Sequence, residues 1–179
     1  MILQTGSYFP FYELTDADRR VIHALYWQQY AANNNKLNDK TVYARKNSKL
    51  AGIAGELAFS RYVGKDAQYV GDTSRTIDFI TKGGTVDVKT KLRSMPPRPD
   101  FDGSIWGYAN NQVDYYAFLS VMEDLQMVWF CGFMTKKEFL THDQRHRWLA
   151  GETDNSNGLE FAADTISLNY KHMRQFTLR

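Results

Sequence analysis

The sequence predicts an α/β or α+β fold, a sheet covered by helices, and three observations carry that class. The stretch RTIDFITKGGTVDVKTKL alternates apolar and polar residues on both sides of a glycine pair, the pattern of a β-hairpin. Two apolar runs, DYYAFLSVM and LQMVWFCGFM, follow it with Glu123 and Asp124 between them, and both read as buried strands. Ahead of the hairpin lie two segments whose apolar residues recur at helical spacing.

The first helix opens at Thr15, with Asp18 three residues on, and Val21, Ile22, Leu25, Tyr26 and Gln29 give it a face. It is expected to end near Ala32 and to pack on the outside of the core. The polar, turn-rich NNNKLNDK then leads to a second helix from near Ser48 to near Gly64, striped by Leu50, Ile53, Ala54, Leu57, Ala58 and Tyr62. Gly52 and Gly55 each cost about 1 kcal/mol relative to Ala inside a helix, so the pair points to close backbone approach by a neighbour. After the hairpin come a Pro-rich loop, MPPRPDFDGS, and the two apolar strands. Thr135 caps a short helix, KKEFL, the segment HDQRHRWLAGETDNSNG reads as loop, and short strands around Thr165 to Leu168 close the chain. There is no internal repeat, and pattern alone does not determine the strand order.

A chain of 179 residues, 43% of them hydrophobic, can bury one substantial core, so residues 1–179 are read as a single domain. Within it, 1–47 form an N-terminal helical extension, 48–134 the core that carries the chemistry, and 135–179 a C-terminal extension. No run reaches the roughly 18 apolar residues that span a bilayer, and the N-terminus lacks the pattern of a signal peptide. The expectation is a soluble, cytoplasmic protein with no membrane partner, associated with the nucleoid if the source is bacterial. Cys131, the single cysteine, lies in an apolar run and reads as a small buried residue.

A net charge of +2 says little, but its distribution is uneven. Lys36, Lys40, Arg45, Lys46 and Lys49 face only Asp39 in one segment, and Lys82, Lys89, Lys91, Arg93 and Arg98 face only Asp87 in another. Either cluster alone is ordinary solvated surface as readily as a nucleic-acid contact.

Alternation within the hairpin sends Ile77, Phe79, Val86 and Val88 to one side and Asp78, Asp87, Lys89 and Lys91 to the other. If Ile80 pairs with Thr85, Asp78 lies opposite Asp87; if Gly83 and Gly84 alone make the turn, Asp78 lies opposite Lys89. Only an odd-length loop or a bulge breaks the shared face. Directly opposed carboxylates on a sheet are destabilising, and a divalent cation would give two of them a reason to be there. A hard cation takes carboxylate and carbonyl oxygens and keeps waters, and a nearby ammonium helps direct one of those waters at a phosphate.

Asp78, eight residues, then Asp87-Val88-Lys89-Thr90 resembles the motif of the PD-(D/E)XK nuclease superfamily, with Ile77 where the motif has proline. The helix GIAGELAFSRYVG, carrying Glu56, is similar to the acidic helix that often precedes the motif, and DYYAFLSV to the strand that follows it, so the resemblance covers about residues 48–122. It implies a central mixed β-sheet flanked by helices, the restriction-endonuclease-like core. By the same resemblance Glu56, Asp78, Asp87 and Lys89 would be catalytic. Asp78, Asp87, the Val88 carbonyl and Glu56 would hold Mg²⁺, or Mn²⁺ in its place, and Lys89 would act on the attacking water. The implied activity is that of a DNA endonuclease on double-stranded DNA, with Lys46, Lys49, Lys91, Arg93 and Arg98 on the phosphate backbone. Such chains often form a homodimer or higher homo-oligomer, although no heptad or interface helix shows one here.

Plainer readings exist for each residue. Asp78 could simply be a surface cross-strand partner of Lys89, Glu56 fits a solvated helix edge, and Lys91 fits ordinary surface. His142 and His146 stand four apart beside Arg145 and Arg147, which suits a solvated or phosphate-facing loop better than zinc. The aromatic residues of SIWGYANNQVDYY either stack on bases or fill core, and Asn110 and Gln112 either read base edges or satisfy a turn. At the level of the whole chain, the alternatives are a catalytically silent DNA-binding module on the same fold and an unrelated α/β protein.

Overall fold

The computed structural model describes residues 3–32, 39–71, 76–106, 112–154 and 158–177, without the side chains of 30–32, 39–46 and 159. The chain enters through a three-residue strand, β1 (Phe11–Glu13), and turns into helix α1 (Asp16–Ala32), whose limits are those expected. Thr15 Oγ1 accepts from the Asp18 N–H at 3.1 Å while Asp18 Oδ2 accepts from the Thr15 N–H at 3.0 Å, a reciprocal cap that satisfies two orphan donors. Ile22 and Tyr26 are buried, whereas Val21 and Leu25 lie on the exposed side, so the buried stripe of α1 is narrower than its apolar content suggests.

Helix α2 (Asp39–Val63) starts nine residues before the expected Ser48. The first turns, DKTVYARKN, contain no Gly or Pro to stop a helix, and apolar periodicity marks only the part that packs. Gly55 is the glycine that matters here. A Cβ on it would stand 1.8 Å from Thr90 Oγ1, whereas nothing lies within 4 Å of one on Gly52. The close approach foreseen for two glycines therefore belongs to one, and it sets α2 against the strand that carries Asp87 and Lys89.

The strands β2 (Ala67–Tyr69), β3 (Phe79–Thr81), β4 (Gly84–Arg93), β6 (Tyr115–Met122) and β7 (Met127–Thr135) join β1 in a six-stranded sheet of order β1-β7-β6-β4-β3-β2. It is mixed: β4 and β6 run parallel and the other pairs antiparallel. The crossover from β4 to β6 passes through β5 (Asp102–Trp106), which pairs with β11 (Thr165–Asn169), itself paired with β8 (His146–Trp148). These three form a second sheet, and a two-stranded piece of β9 (Thr153–Asp154) and β10 (Leu159–Glu160) completes the strands.

Alternation along β6 and β7 divides the core in two. Ala117, Leu119, Val121, Val128 and Phe130 pack with Ile22, Leu50, Ala54 and Phe59 of the helices, while Tyr116, Phe118, Trp129 and Cys131 pack with Ile105, Ile166 and Leu168 of the second sheet. The fold is thus α+β with a central mixed sheet, as expected, but the helices α1 and α2 cover one face and β5, β11 and β8 the other. The two extensions of the chain are not appendages: β1 extends the main sheet, and Phe176 closes an aromatic cluster with Phe59, Tyr62, Phe130 and Phe133. Helix α3 (Lys136–Thr141) is capped by Thr135 with Glu138 completing the capping box. No helix among the described residues is long and apolar enough to cross a membrane.

Candidate active site

The β3–β4 hairpin turns through Lys82 and Gly83, with Thr81 paired to Gly84, Ile80 to Thr85 and Phe79 to Val86. Thr81 Oγ1 donates to the Gly84 carbonyl at 2.7 Å and accepts from the Gly83 N–H at 3.2 Å, which pins the turn. Gly84 has φ of +131° and no room for a Cβ, which would meet Asp114 Oδ2 at 2.7 Å. Asp114 in turn accepts from the Thr85 N–H and hydroxyl, each at 2.8 Å, and these bonds hold its carboxyl below the usual range. The register is therefore the one with Ile80 opposite Thr85.

Past Phe79 the pairing slips by a residue. The Asp78 N–H donates to the Val86 carbonyl at 2.9 Å, out of step with the Phe79 to Val86 pair, and the freed Val88 N–H donates to Asp78 Oδ2 at 2.7 Å. Asp78 thereby substitutes its carboxylate for a strand carbonyl. Because the N–H and C=O of one residue in an extended strand leave by the same edge, the Val88 carbonyl also points toward the Asp78 side. Beside it Asp87 is buried at 3% exposure, and Lys89 Nζ stands 2.8 Å from its Oδ2. That oxygen has the ammonium near it but receives no hydrogen bond of good geometry, so it is a buried acceptor with capacity to spare.

Burial raises the Asp78 carboxyl to about 7, with the charge of Glu56 the next cause and that of Asp87 a smaller one, against the opposing Val88 hydrogen bond and Lys89 ammonium. Asp87 is also raised by burial, opposed chiefly by the charge of the Lys89 ammonium beside it. Glu56 reaches the site from α2, where the Gly55–Thr90 contact holds the helix close, and its Oε2 accepts from the Tyr69 hydroxyl at 2.8 Å. The four residues read from the motif are thus brought together from α2, the residue before β3, and β4.

The remaining expected contacts divide. Lys49 is exposed on α2, and the Lys46 side chain lies outside the described residues. Lys91 is tied to Asp102 Oδ2 at 2.8 Å, and burial holds its ammonium below the usual lysine range. Arg93 donates to the Asp102 carbonyl at 3.1 Å, Arg98 pairs with Asp100 at 3.0 Å, and the two guanidinium groups lie 4.9 and 5.0 Å from the Phe101 ring. These three cations are engaged within the protein: Lys91 and Arg93 join β4 to β5, and Arg98 bonds within the loop between them. Trp106 is 72% exposed, while Tyr116 is fully buried, so the aromatic run serves both surface and core; Asn110 lies outside the described residues and Gln112 is exposed. His142 accepts from the Gln144 N–H, and His146 lies against Trp148 with ring centroids 3.9 Å apart. Cys131 is buried, and burial pushes its thiol up to about 12, far from a nucleophile's range.

Sequence reasoning missed Tyr69 and Asp102. Tyr69 lies thirteen residues from Glu56 and Asp102 eleven from Lys91, and no local pattern links either pair; both contacts are made by tertiary packing.

Among the described residues no group of three or more His, Cys, Asp or Glu side chains forms a ready cage for a metal ion. The donor set nonetheless suits a hard cation such as Mg²⁺, which commonly uses one or two carboxylates and keeps several waters. Asp78 and Asp87, the spare capacity of Asp87 Oδ2 and the Val88 carbonyl meet that requirement. No protein-family model and no curated protein matches this chain.

Proposed function

We propose that the chain is a metal-dependent DNA endonuclease of the PD-(D/E)XK kind. The observation that carries this reading is the set on β4 and its neighbour: buried Asp87, Lys89 with Nζ 2.8 Å from it, and Asp78 turned inward onto the Val88 N–H. Three carboxylates, Glu56, Asp78 and Asp87, against one ammonium repel a phosphodiester, so the site suits phosphate chemistry only with a cation present. Asp78, Asp87 and the Val88 carbonyl would hold Mg²⁺ or Mn²⁺, with Glu56 at its edge, and the bound ion would supply an activated water and neutralise charge on the scissile phosphate. Lys89, its ammonium held beside Asp87, would orient an attacking water and offset negative charge developing on the phosphate. Asp87 orients Lys89 by the ion pair between them, and α2 presents Glu56 where it disfavours ionisation of Asp78 until the cation arrives.

Lys49 and Glu56 are seven residues apart on one helix, so they share a face about 10 Å apart along the axis. That is about three phosphates along the axis of one DNA strand, and it makes Lys49 a backbone contact beside the site. Supercoiled plasmid incubated with the purified protein in Mg²⁺, Mn²⁺ or EDTA tests the reading. Nicked or linear product is expected with either cation and none in EDTA; equal cutting in EDTA, or no cutting of single- or double-stranded DNA under any condition, contradicts it.

A further inference from the structure

We infer that Tyr69 is a positioning residue of this site, its phenol holding the Glu56 carboxylate in place beside Asp78. The inference rests on the metal-site reading above and adds to it a residue outside the motif. Three separate features fix the phenol. Its hydroxyl donates to Glu56 Oε2 at 2.8 Å, a bond to a charged acceptor and so stronger than a neutral one. Its ring packs edge-on against Phe79, with centroids 5.3 Å apart and planes at 61°, and Tyr69 is paired with Phe79 in the β2–β3 register. Gly71 then leaves space for it, since a Cβ there would stand 2.6 Å from the hydroxyl oxygen and 2.7 Å from the ring carbon that bears it.

The consequence is a chain of contacts running to the site from the sheet edge. The Val70 N–H donates to the Asp78 carbonyl at 2.8 Å, so the backbone next to Tyr69 is bonded to the residue on whose carboxyl the charge of Glu56 acts. Glu56 is a flexible carboxylate on a half-buried helix position, with several rotamers open to it. The phenol favours one of them. Groups that orient a metal ligand in this way typically change metal affinity by 10- to 100-fold when removed.

Tyr69→Phe deletes the hydroxyl and keeps the ring on Phe79. Mn²⁺ affinity is measured by electron paramagnetic resonance of the free ion, on the full chain without DNA, alongside melting temperature in EDTA. The expected result is a dissociation constant raised about tenfold at a nearly unchanged melting temperature. In a Glu56→Gln background the same substitution is expected to add no further loss, because Tyr69 acts through Glu56. Gly71→Ala, which displaces the phenol without deleting it, should weaken Mn²⁺ in the same direction. Tyr69→Phe binding Mn²⁺ as wild type does, or losing the same factor with Glu56 already replaced, overturns the assignment of Tyr69 alone. A wild-type protein that binds no Mn²⁺ overturns the metal site itself, and the role of Tyr69 with it.

Discussion

Lys89 Nζ lies 2.8 Å from Asp87 Oδ2, with one residue of β4 between them. Residues two apart on a strand share a face, so the D-x-K spacing itself delivers an ammonium to a buried carboxylate. Lys89 remains a third exposed, which leaves its charge able to hydrate when Asp87 is changed.

Asp87→Asn is therefore expected to stabilise the metal-free protein. Burial of the carboxylate opposes its charge more than Lys89 supports it, and removing the charge at nearly constant volume gains on the order of 1 kcal/mol. The same change should erase most of the rise in melting temperature given by Mn²⁺, since an ion stabilises only through its affinity for the folded state. A variant that melts below wild type in EDTA, with Mn²⁺ raising both equally, would make Asp87 a structural partner of Lys89.

The raised Asp78 carboxyl gives a pH dependence of definite sign. Its ordinary value is 3.8 and the folded protein holds it near 7, so the native state binds the extra proton across that interval. Stability from this group is present below pH 4 and lost as pH rises to 7, an effect of up to about 4 kcal/mol if the full shift acts. In EDTA the melting temperature should fall between pH 5 and 7.5, and Asp78→Asn should flatten that slope. Mn²⁺ affinity should rise by up to roughly tenfold per pH unit below 7 and level off above it, because cation and proton compete for the carboxylate.

What was legible in the sequence was local. The hairpin, the capping boxes at Thr15 and Thr135 and the two apolar strands depend on neighbours within a few residues, and each forms where its pattern stands. Of the second sheet only β11 was legible, as the strand read around Thr165 to Leu168; β5 and β8 were not, because β5 follows a Pro-rich stretch and buries only Gly103 and Ile105, while β8 is three residues long. Hairpin parity foresaw Asp87 and Lys89 side by side on β4, but not the one-residue slip at Asp78, where a side chain displaces a strand carbonyl and the alternation that would give all three one face is interrupted. The Lys91–Asp102 and Tyr69–Glu56 contacts join elements whose packing no periodicity encodes.

The two helix glycines should respond oppositely to alanine. Gly55→Ala drives a Cβ into Thr90 and should cost about 1–3 kcal/mol, besides moving Glu56 off the site. Gly52→Ala meets nothing and should stabilise α2 by about 0.5–1 kcal/mol. Urea denaturation of the two variants checks this; a stabilising Gly55→Ala would remove the close approach of α2 to β4.

Two lysines should separate in their salt dependence. Lys49 is exposed on the helix face of Glu56, so Lys49→Glu should weaken binding to unrelated DNA sequences alike and reduce the slope of log affinity against log salt by about 1 or more. Lys91 is committed to Asp102, so Lys91→Met should lower the melting temperature and leave that slope nearly unchanged. Fluorescence anisotropy across a salt series reads both, and a larger slope change for Lys91→Met would reverse the assignment.

Single-turnover cleavage of DNA in saturating Mn²⁺, with binding followed in parallel in Ca²⁺, tests the role of the Asp87–Lys89 pair most directly. Lys89→Ala removes the ammonium from β4 and leaves Asp78 and Asp87 in place. The expected result is a cleavage rate lower by at least about 100-fold, in the range of losing a group that assists proton transfer and charge stabilisation, with DNA affinity within a factor of about three of wild type. Cleavage by Lys89→Ala at the wild-type rate would contradict it.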